Sequence, residues 1–231
     1  MATIPQNTAL ISLPLAIWGN GYSQFLPQWW DGVRSLETQP DEIIIVTDEQ
    51  NYQAVIESAP AWAWVRVIKE NLTSYAQYWN RAIELCGGKW IAICNVDDQF
   101  RPRGLDSIPE AEARGCNLVC DAIRTKGTDH VQQTIWNPET LNYEFELGGA
   151  NPMTKALWQA SGGFPEGIRF ADWGLALGMR KSGLVKPYVT SEIRIVYDRG
   201  YDRLTLSGAL LGAAERAEGR EQIKQLVRQY K

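Results

Sequence analysis

The sequence predicts a single α/β domain, a mostly parallel central sheet flanked by helices, on three observations. Apolar runs of strand length alternate with segments of helical spacing through the first hundred residues. The chain has 231 residues, 45% hydrophobic and 22% charged, which is ordinary globular usage and enough to bury a core without staples. Two strand-like runs lead into acids, Asp48 and Asp97, at the rim where open α/β sheets take their ligands.

The elements follow in order. Ala9 to Leu13 reads as a buried strand leading into Pro14, and Tyr22 to Leu36 as a helix stopped by Pro40. Glu42 to Asp48 is a β-branched strand ending in an acid, Asn51 to Ser58 a short helix, and Trp64 to Ile68 a third strand. Tyr75, Tyr78, Trp79, Ala82, Ile83 and Cys86 fall at helical spacing. Thr73 or Ser74 is placed to cap that helix, and Gly87-Gly88 to end it. Lys89 to Cys94 reads as a fourth strand, running into Asn95-Val96-Asp97-Asp98. The second half is less regular. Strands are expected at Asn117 to Arg124, within Thr134 to Leu147 and at Glu192 to Tyr197, with helices at Thr154 to Ser161, Ala171 to Lys181 and Ser207 to Tyr230.

Several function classes are excluded or disfavoured. No stretch approaches 18 uncharged apolar residues, so no membrane span is expected. Met1 to Asn7 carries no basic residue, so no signal peptide is expected. A net charge of -4 argues against generic nucleic-acid coating. Cys86, Cys94, Cys116 and Cys120 form no C-x-x-C pair, and with one histidine there is no zinc-finger spacing. Buried free thiols imply a reducing, cytoplasmic setting, which a viral protein acting in a host cytoplasm would share. Ten tryptophans read mostly as core, and also suit a surface that stacks on sugar or base rings.

On residue type alone, the acids keep two readings each. The pair in Asn95 to Asp98 holds a hard divalent cation or forms a solvated turn. Asp48 accepts from a base N–H or caps the next helix. Asp172 is a general base or a helix-start acid. Gly19-Asn20-Gly21 is a lone G-x-G and reads as a loop, and His130 as an exposed turn residue. Residues 180–203 carry six basic and three acidic side chains, a solvated face or a phosphate grip.

Taken in order, the run 40–51, the stretch 78–105 ending in Asn95-Val96-Asp97-Asp98, and the run 153–183 with its Gly-Gly-Phe-Pro-Glu turn and Ala171-Asp172 resemble the GT-A-type glycosyltransferases of the large inverting family two. The resemblance covers roughly residues 9 to 203. It departs at four places. Asn95 replaces the first acid of the D-x-D metal motif, Ala171 the first acid of a Glu-Asp pair, and Trp79 a basic residue, and no histidine lies near Tyr197 to Tyr201.

The resemblance implies one GT-A domain over residues 1–231. Residues 1–100 would bind the nucleotide sugar, 101–206 the acceptor, and 207–231 would form a terminal helix. Asp48 would grip the base, with Pro14, Leu15, Ala16, Asn80, Asn95 and Val96 shaping the nucleotide cleft. Asp97 would hold Mn2+ or Mg2+, Asp172 would serve as the catalytic base, and Trp173 as the acceptor platform. The donor would be a nucleotide-diphosphate sugar, most simply a UDP-sugar. The acceptor hydroxyl would belong to a carbohydrate, a small molecule, or a hydroxymethylated DNA base gripped near Arg101 and Arg103. A sugar nucleotidyltransferase and a non-catalytic carbohydrate binder are the rival classes.

Overall fold

The computed structural model describes residues 10–19, 21–142, 147, 151–197 and 213–230. Among these, nine strands join in one sheet with helices on both sides. In chain order they are β1 (Ile11–Ile17), α1 (Leu26–Ser35), β2 (Glu42–Thr47), α2 (Glu49–Ser58), β3 (Val65–Lys69), α3 (Tyr75–Leu85), β4 (Trp90–Ile91), β5 (Gln99–Phe100), α4 (Ser107–Ala113), β6 (Leu118–Thr125), β7 (Val131–Gln133), β8 (Met153–Thr154), α5 (Lys155–Ser161), α6 (Ala171–Ser182), β9 (Pro187–Tyr197) and α7 (Ala213–Gln229). The sheet order is β3-β2-β1-β4-β8-β6-β9-β5, with β7 paired to β6.

The first half follows the α/β expectation. β1, β2, β3 and β4 run parallel, and β1 and β2 are buried along almost their whole length. Fully buried Ile43, Ile44 and Ile45 each contribute on the order of 1.5–3 kcal/mol by leaving water. The chain builds outward from β1 to β3, then returns to place β4 on the other side of β1. The switch point, where such sheets open a crevice, therefore lies between β1 and β4.

Pro14 sharpens that opening. β1 does not stop at the proline, as its sequence suggested, but runs on to Ile17 along β2. Its ladder to β4 ends with Ala92 N–H donating to Ser12 O at 3.0 Å. The next rung needs an N–H at position 14, which proline lacks. β4 accordingly has two residues rather than the six expected. The following carbonyls go to side chains: Ile93 O accepts from Arg194 Nη1 at 2.8 Å and Cys94 O from Trp29 Nε1 at 3.1 Å.

Other departures have local causes. The expected helix from Tyr22 opens as a 3-10 turn, Tyr22–Phe25, before α1 takes over with Pro27 in its first turn. No strand lies within Thr134 to Asn142 or at Leu147, the described part of that expectation, and the short ladder falls earlier, in β7. The late strand is longer than expected because β9 runs parallel to β6 along nearly all its length. The start of β1 at Ala9 and the helical start at 207–212 lie outside the described residues.

Of the ten tryptophans, Trp29, Trp30, Trp79, Trp90 and Trp158 are buried and the other five are half-buried against the core. Cys86 and Cys94 are buried free thiols, as expected; Cys120 is also a buried free thiol and Cys116 a partly buried one. Burial pushes the Cys86 and Cys120 thiols up to about 12. No helix of the described residues is long and apolar enough to cross a membrane.

Candidate active site

The loop after β1 and the end of β2 are tied together by Asp48. Its Oδ1 caps α2, accepting from Asn51 N at 2.9 Å and Asn51 Nδ2 at 2.8 Å. Its Oδ2 accepts from Gly19 N at 2.7 Å, and Asn51 Nδ2 also reaches Gly19 O at 2.8 Å. The capping reading of Asp48 is thus realised, with the carboxylate half-buried beside the crevice. Pro14, Leu15 and Ala16 are all buried in β1, opposite Ile44, Ile45 and Val46. Asn51, 2% exposed and central to this clamp, was missed in the sequence, where an asparagine in the first turn of a helix carried no signal.

On the other side of the switch point lies the acidic turn. Asp98 is 1% exposed; its Oδ2 accepts from Asn95 Nδ2 at 3.2 Å, and its N–H donates to Asn95 O at 3.0 Å. Asp98 braces the turn, while Asp97 is half-buried and Val96 is buried beneath. Gln28 Nε2 donates to Asp97 O at 3.2 Å, holding the turn from α1. Asp48 and the acidic turn therefore stand on opposite sides of β1.

Asn80 lies on α3 and spends both ends of its amide on one residue. Its Nδ2 donates to Phe164 O and its Oδ1 accepts from Phe164 N, each at 2.8 Å. It pins the Gly162-Gly163-Phe164 turn to α3 as a backbone strand would. Gly163 sits there at φ +73°, and a Cβ on it would stand 2.8 Å from Asn80 Oδ1, so the turn needs glycine on both counts.

That turn leads to α6 and Asp172. Asp172 Oδ1 accepts from the Trp173 N–H at 2.9 Å. Burial raises its carboxyl above the ordinary aspartate range, and the nearby backbone N–H groups partly offset this. Asp172 also lines a small, largely apolar cavity with Asn151, Met153, Leu175 and Met179. Trp173 is half-buried, its Nε1 donating to Leu141 O at 2.8 Å and its ring tilted against Phe170 at 6.3 Å.

Tyr75, at the first position of α3, joins these pieces. Burial pushes its phenol well above the ordinary range, and the carboxylates of Asp172, Asp97 and Asp98 push it further, in that order. The acids from the two halves thus act on one hydroxyl. The sequence hid this, because Tyr75 fits the apolar stripe of α3 and its ring does pack against Trp79 and Phe164.

The basic run is dispersed where it is described. Arg194 is buried against Asp121, Arg180 Nη1 donates to Asn142 Oδ1 at 2.6 Å, and Lys181 lies over the Tyr230 ring. Residues 198–203 lie outside the described residues. Arg103 pairs with Asp106 and Glu192 at the surface. His130 is exposed in the loop after β6, as expected.

The donor set suits a hard cation. Among the described residues no three His, Cys, Asp or Glu side chains converge into a cage. Mg2+, however, is commonly held by one or two carboxylates plus substrate phosphates. Asp97 with the amide oxygen of Asn95 is chemically such a half-site.

Residues 20–164 match the sequence model described as Glycosyl transferase family 2. The chain belongs to that family. No curated protein matches it in sequence. Among solved structures, S. aureus TarS 1–349 in complex with UDP-GlcNAc superposes with a TM-score of 0.72 at 13% identity, covering 94% of this chain and 66% of that one. TarS 1–349 in complex with UDP gives 0.62 at 14% identity, with 94% and 70% covered. The mannosyltransferase PcManGT from Pyrobaculum calidifontis, in complex with GDP-Man and Mn2+, gives 0.60 at 15% identity, with 87% and 61% covered. The family-two chain thus has the GT-A fold of these transferases and spans roughly two thirds of their length.

Proposed function

We propose that the chain transfers a sugar from a nucleotide-diphosphate donor to an acceptor hydroxyl, inverting the anomeric centre. The observation that carries this is the Glycosyl transferase family 2 match over residues 20–164, on a sheet whose switch point between β1 and β4 is flanked by Asp48 and the Asn95–Asp98 turn; the charges of Asp97, Asp98 and Asp172 all acting on the Tyr75 phenol support the nearness of that turn to Asp172. A donor diphosphate at the turn and an acceptor hydroxyl at Asp172 would then be neighbours.

The clamp of Asp48, Asn51 and Gly19 shapes the base end of the crevice, where Asp48 Oδ1 already accepts two hydrogen bonds from Asn51 and Oδ2, which accepts from Gly19 N, has a second lone pair for a base N–H. Asp97, with Asn95, would hold a divalent cation, which when bound stabilises negative charge growing on the leaving diphosphate. Asp172 takes the proton of the acceptor hydroxyl as that oxygen bonds to the anomeric carbon and the carbon–diphosphate bond breaks on the opposite face. Its raised pKa makes it a stronger base than an exposed aspartate. Holding donor and acceptor in line supplies much of the remaining rate. UDP-sugars are the first donors to test, since the TarS structures hold UDP-GlcNAc and UDP. Arg103 already has two carboxylate partners, which favours a carbohydrate hydroxyl over a DNA base as acceptor.

The test is incubation with a panel of nucleotide sugars and Mn2+, assaying the released nucleotide. Nucleoside diphosphate supports the transferase. Pyrophosphate would indicate a nucleotidyltransferase, and no release with any donor a carbohydrate binder.

A further inference from the structure

The buried pair Arg194–Asp121 plays no part in the mechanism above, and stability alone explains it poorly. Both side chains are 1% exposed, and Arg194 Nε meets Asp121 Oδ2 at 2.5 Å. Among the described residues, Asp121 Oδ1 and Arg194 Nη2 are buried with no hydrogen-bond partner. A buried ion pair is often no more stabilising than apolar residues of the same volume, and one with orphaned atoms less so.

The rest of the arginine fork goes elsewhere. Nη1 donates to Ile93 O at 2.8 Å, two residues before Asn95. The backbone of Arg194 is engaged on the far side of the same turn, its carbonyl accepting from Arg101 N at 2.8 Å. β9 continues the bracket, pairing Ile195 with Phe100 and Val196 with Gln99. One short stretch of β9 therefore holds the acidic turn at both its entrance and its exit. A planar guanidinium reaches Asp121 and Ile93 at once in fixed geometry; a lysine ammonium has no such fork.

We infer that Arg194, oriented by Asp121, is a positioning residue that fixes the Asn95–Asp98 turn and through it the donor diphosphate. The turn anchor stands on geometry alone, while its effect on the donor rests on the transferase reading, so the test has one arm for each. In the ligand-free protein, hydrogen–deuterium exchange of residues 93–100 is compared with that of β2. Arg194→Lys should speed exchange in 93–100 at least tenfold and leave β2 within twofold of wild type, and Asp121→Asn should speed it at least threefold. In the active enzyme, Arg194→Lys should raise the donor KM at least fivefold, more than it lowers kcat. Unchanged exchange over 93–100, or an unchanged donor KM in the folded variants, overturns the inference. If Arg194→Lys does not fold, Asp121→Asn decides by the same two criteria, with a threefold threshold for each. A wild-type protein that binds no nucleotide sugar sinks the transferase reading, while the exchange arm still decides the anchor.

Discussion

The two sides of the sheet are built on different principles. From β1 to β3 the strands pair in unbroken parallel register, Ser12 with Glu42 through Ile17 with Thr47, and their burial is almost entirely apolar. From β5 to β9 the pairings mix parallel and antiparallel, and the β6–β9 register slips on both sides of Ala122. The second side also holds the buried ion pair, Asp121 with Arg194 in its strands, and half-buried Asp172 on α6, its carboxyl raised by desolvation. Burial pushes Asp121 up to about 6 despite the guanidinium beside it. A regular apolar frame makes a fixed seat at low cost, whereas an irregular frame with buried ions gives up stability and gains placed charges. On the transferase reading proposed above, the base end of the donor seat would belong to the first kind, and Asp172 as proton acceptor to the second.

That division is open to attack at several points, the largest expected effect first. Asp97→Ala should leave no measurable turnover and weaken donor binding in Mn2+, with an unchanged melting temperature, and EDTA should act equally on wild type. Turnover that survives both would place the cation half-site elsewhere. Asn95→Asp should hold or tighten Mn2+ binding in a direct titration.

Asn80→Ala removes the staple between the two sides. It leaves the Phe164 N–H and C=O without their partner, at about 1–3 kcal/mol each. In a domain of this size each kcal/mol lowers the melting temperature by about 2–4 °C. The loss should appear in thermal unfolding more than in the donor KM; a KM effect with normal melting would return Asn80 to the nucleotide cleft.

Asp48→Ala should do both, more mildly. Loss of the α2 cap costs about 1 kcal/mol, and the donor KM should rise roughly tenfold, equivalent to about 1.4 kcal/mol. A normal KM with lower stability would leave Asp48 as a cap alone.

Sequence reading succeeded where physics is local. The β-branched run before Asp48, the capped stripe of α3 and the Gly-Gly end of α5 signal themselves through neighbours a few residues away. The candidate site was legible only as separate pieces. Asp48, Asp97 and Asp172 are each ambiguous in sequence, and Tyr75, on which the charges of Asp97 and Asp172 both act, reads as one more apolar position on a helix. The Arg194–Ile93 contact spans 101 residues, and no local pattern announces it. The shortness of β4 was hidden because its cause, the missing N–H of Pro14, lies on the neighbouring β1, and distant side chains take the carbonyls of Ile93 and Cys94 beyond its end. Irregular strands of two residues, such as β5 and β8, carry no periodicity to detect.

pH gives a further handle on the second side. Burial raises Asp172 above the ordinary aspartate value of about 3.9. As pH falls through that raised value the base is protonated, so kcat should lose activity on an acid limb lying above the ordinary range. A limb at or below about 3.9 would mean that the titrating group is not a buried carboxyl. The stability consequence has the opposite sign. A carboxyl raised by folding contributes stability that is complete below its unfolded pKa and lost as pH rises through its folded one. Once deprotonated, Asp172 is therefore a burden on the fold.

The most direct measurement is kcat, donor affinity and melting temperature on one sample of Asp172→Asn at neutral pH. Asparagine keeps the size and an acceptor for the Trp173 N–H but takes no proton. A transition-state base predicts a kcat loss of about 100- to 10,000-fold. Donor affinity should stay within about threefold, since no donor contact is removed, and the melting temperature should equal or exceed wild type. Near-normal turnover together with a lower melting temperature would contradict it, and would make Asp172 a helix-start acid with no part in the chemistry.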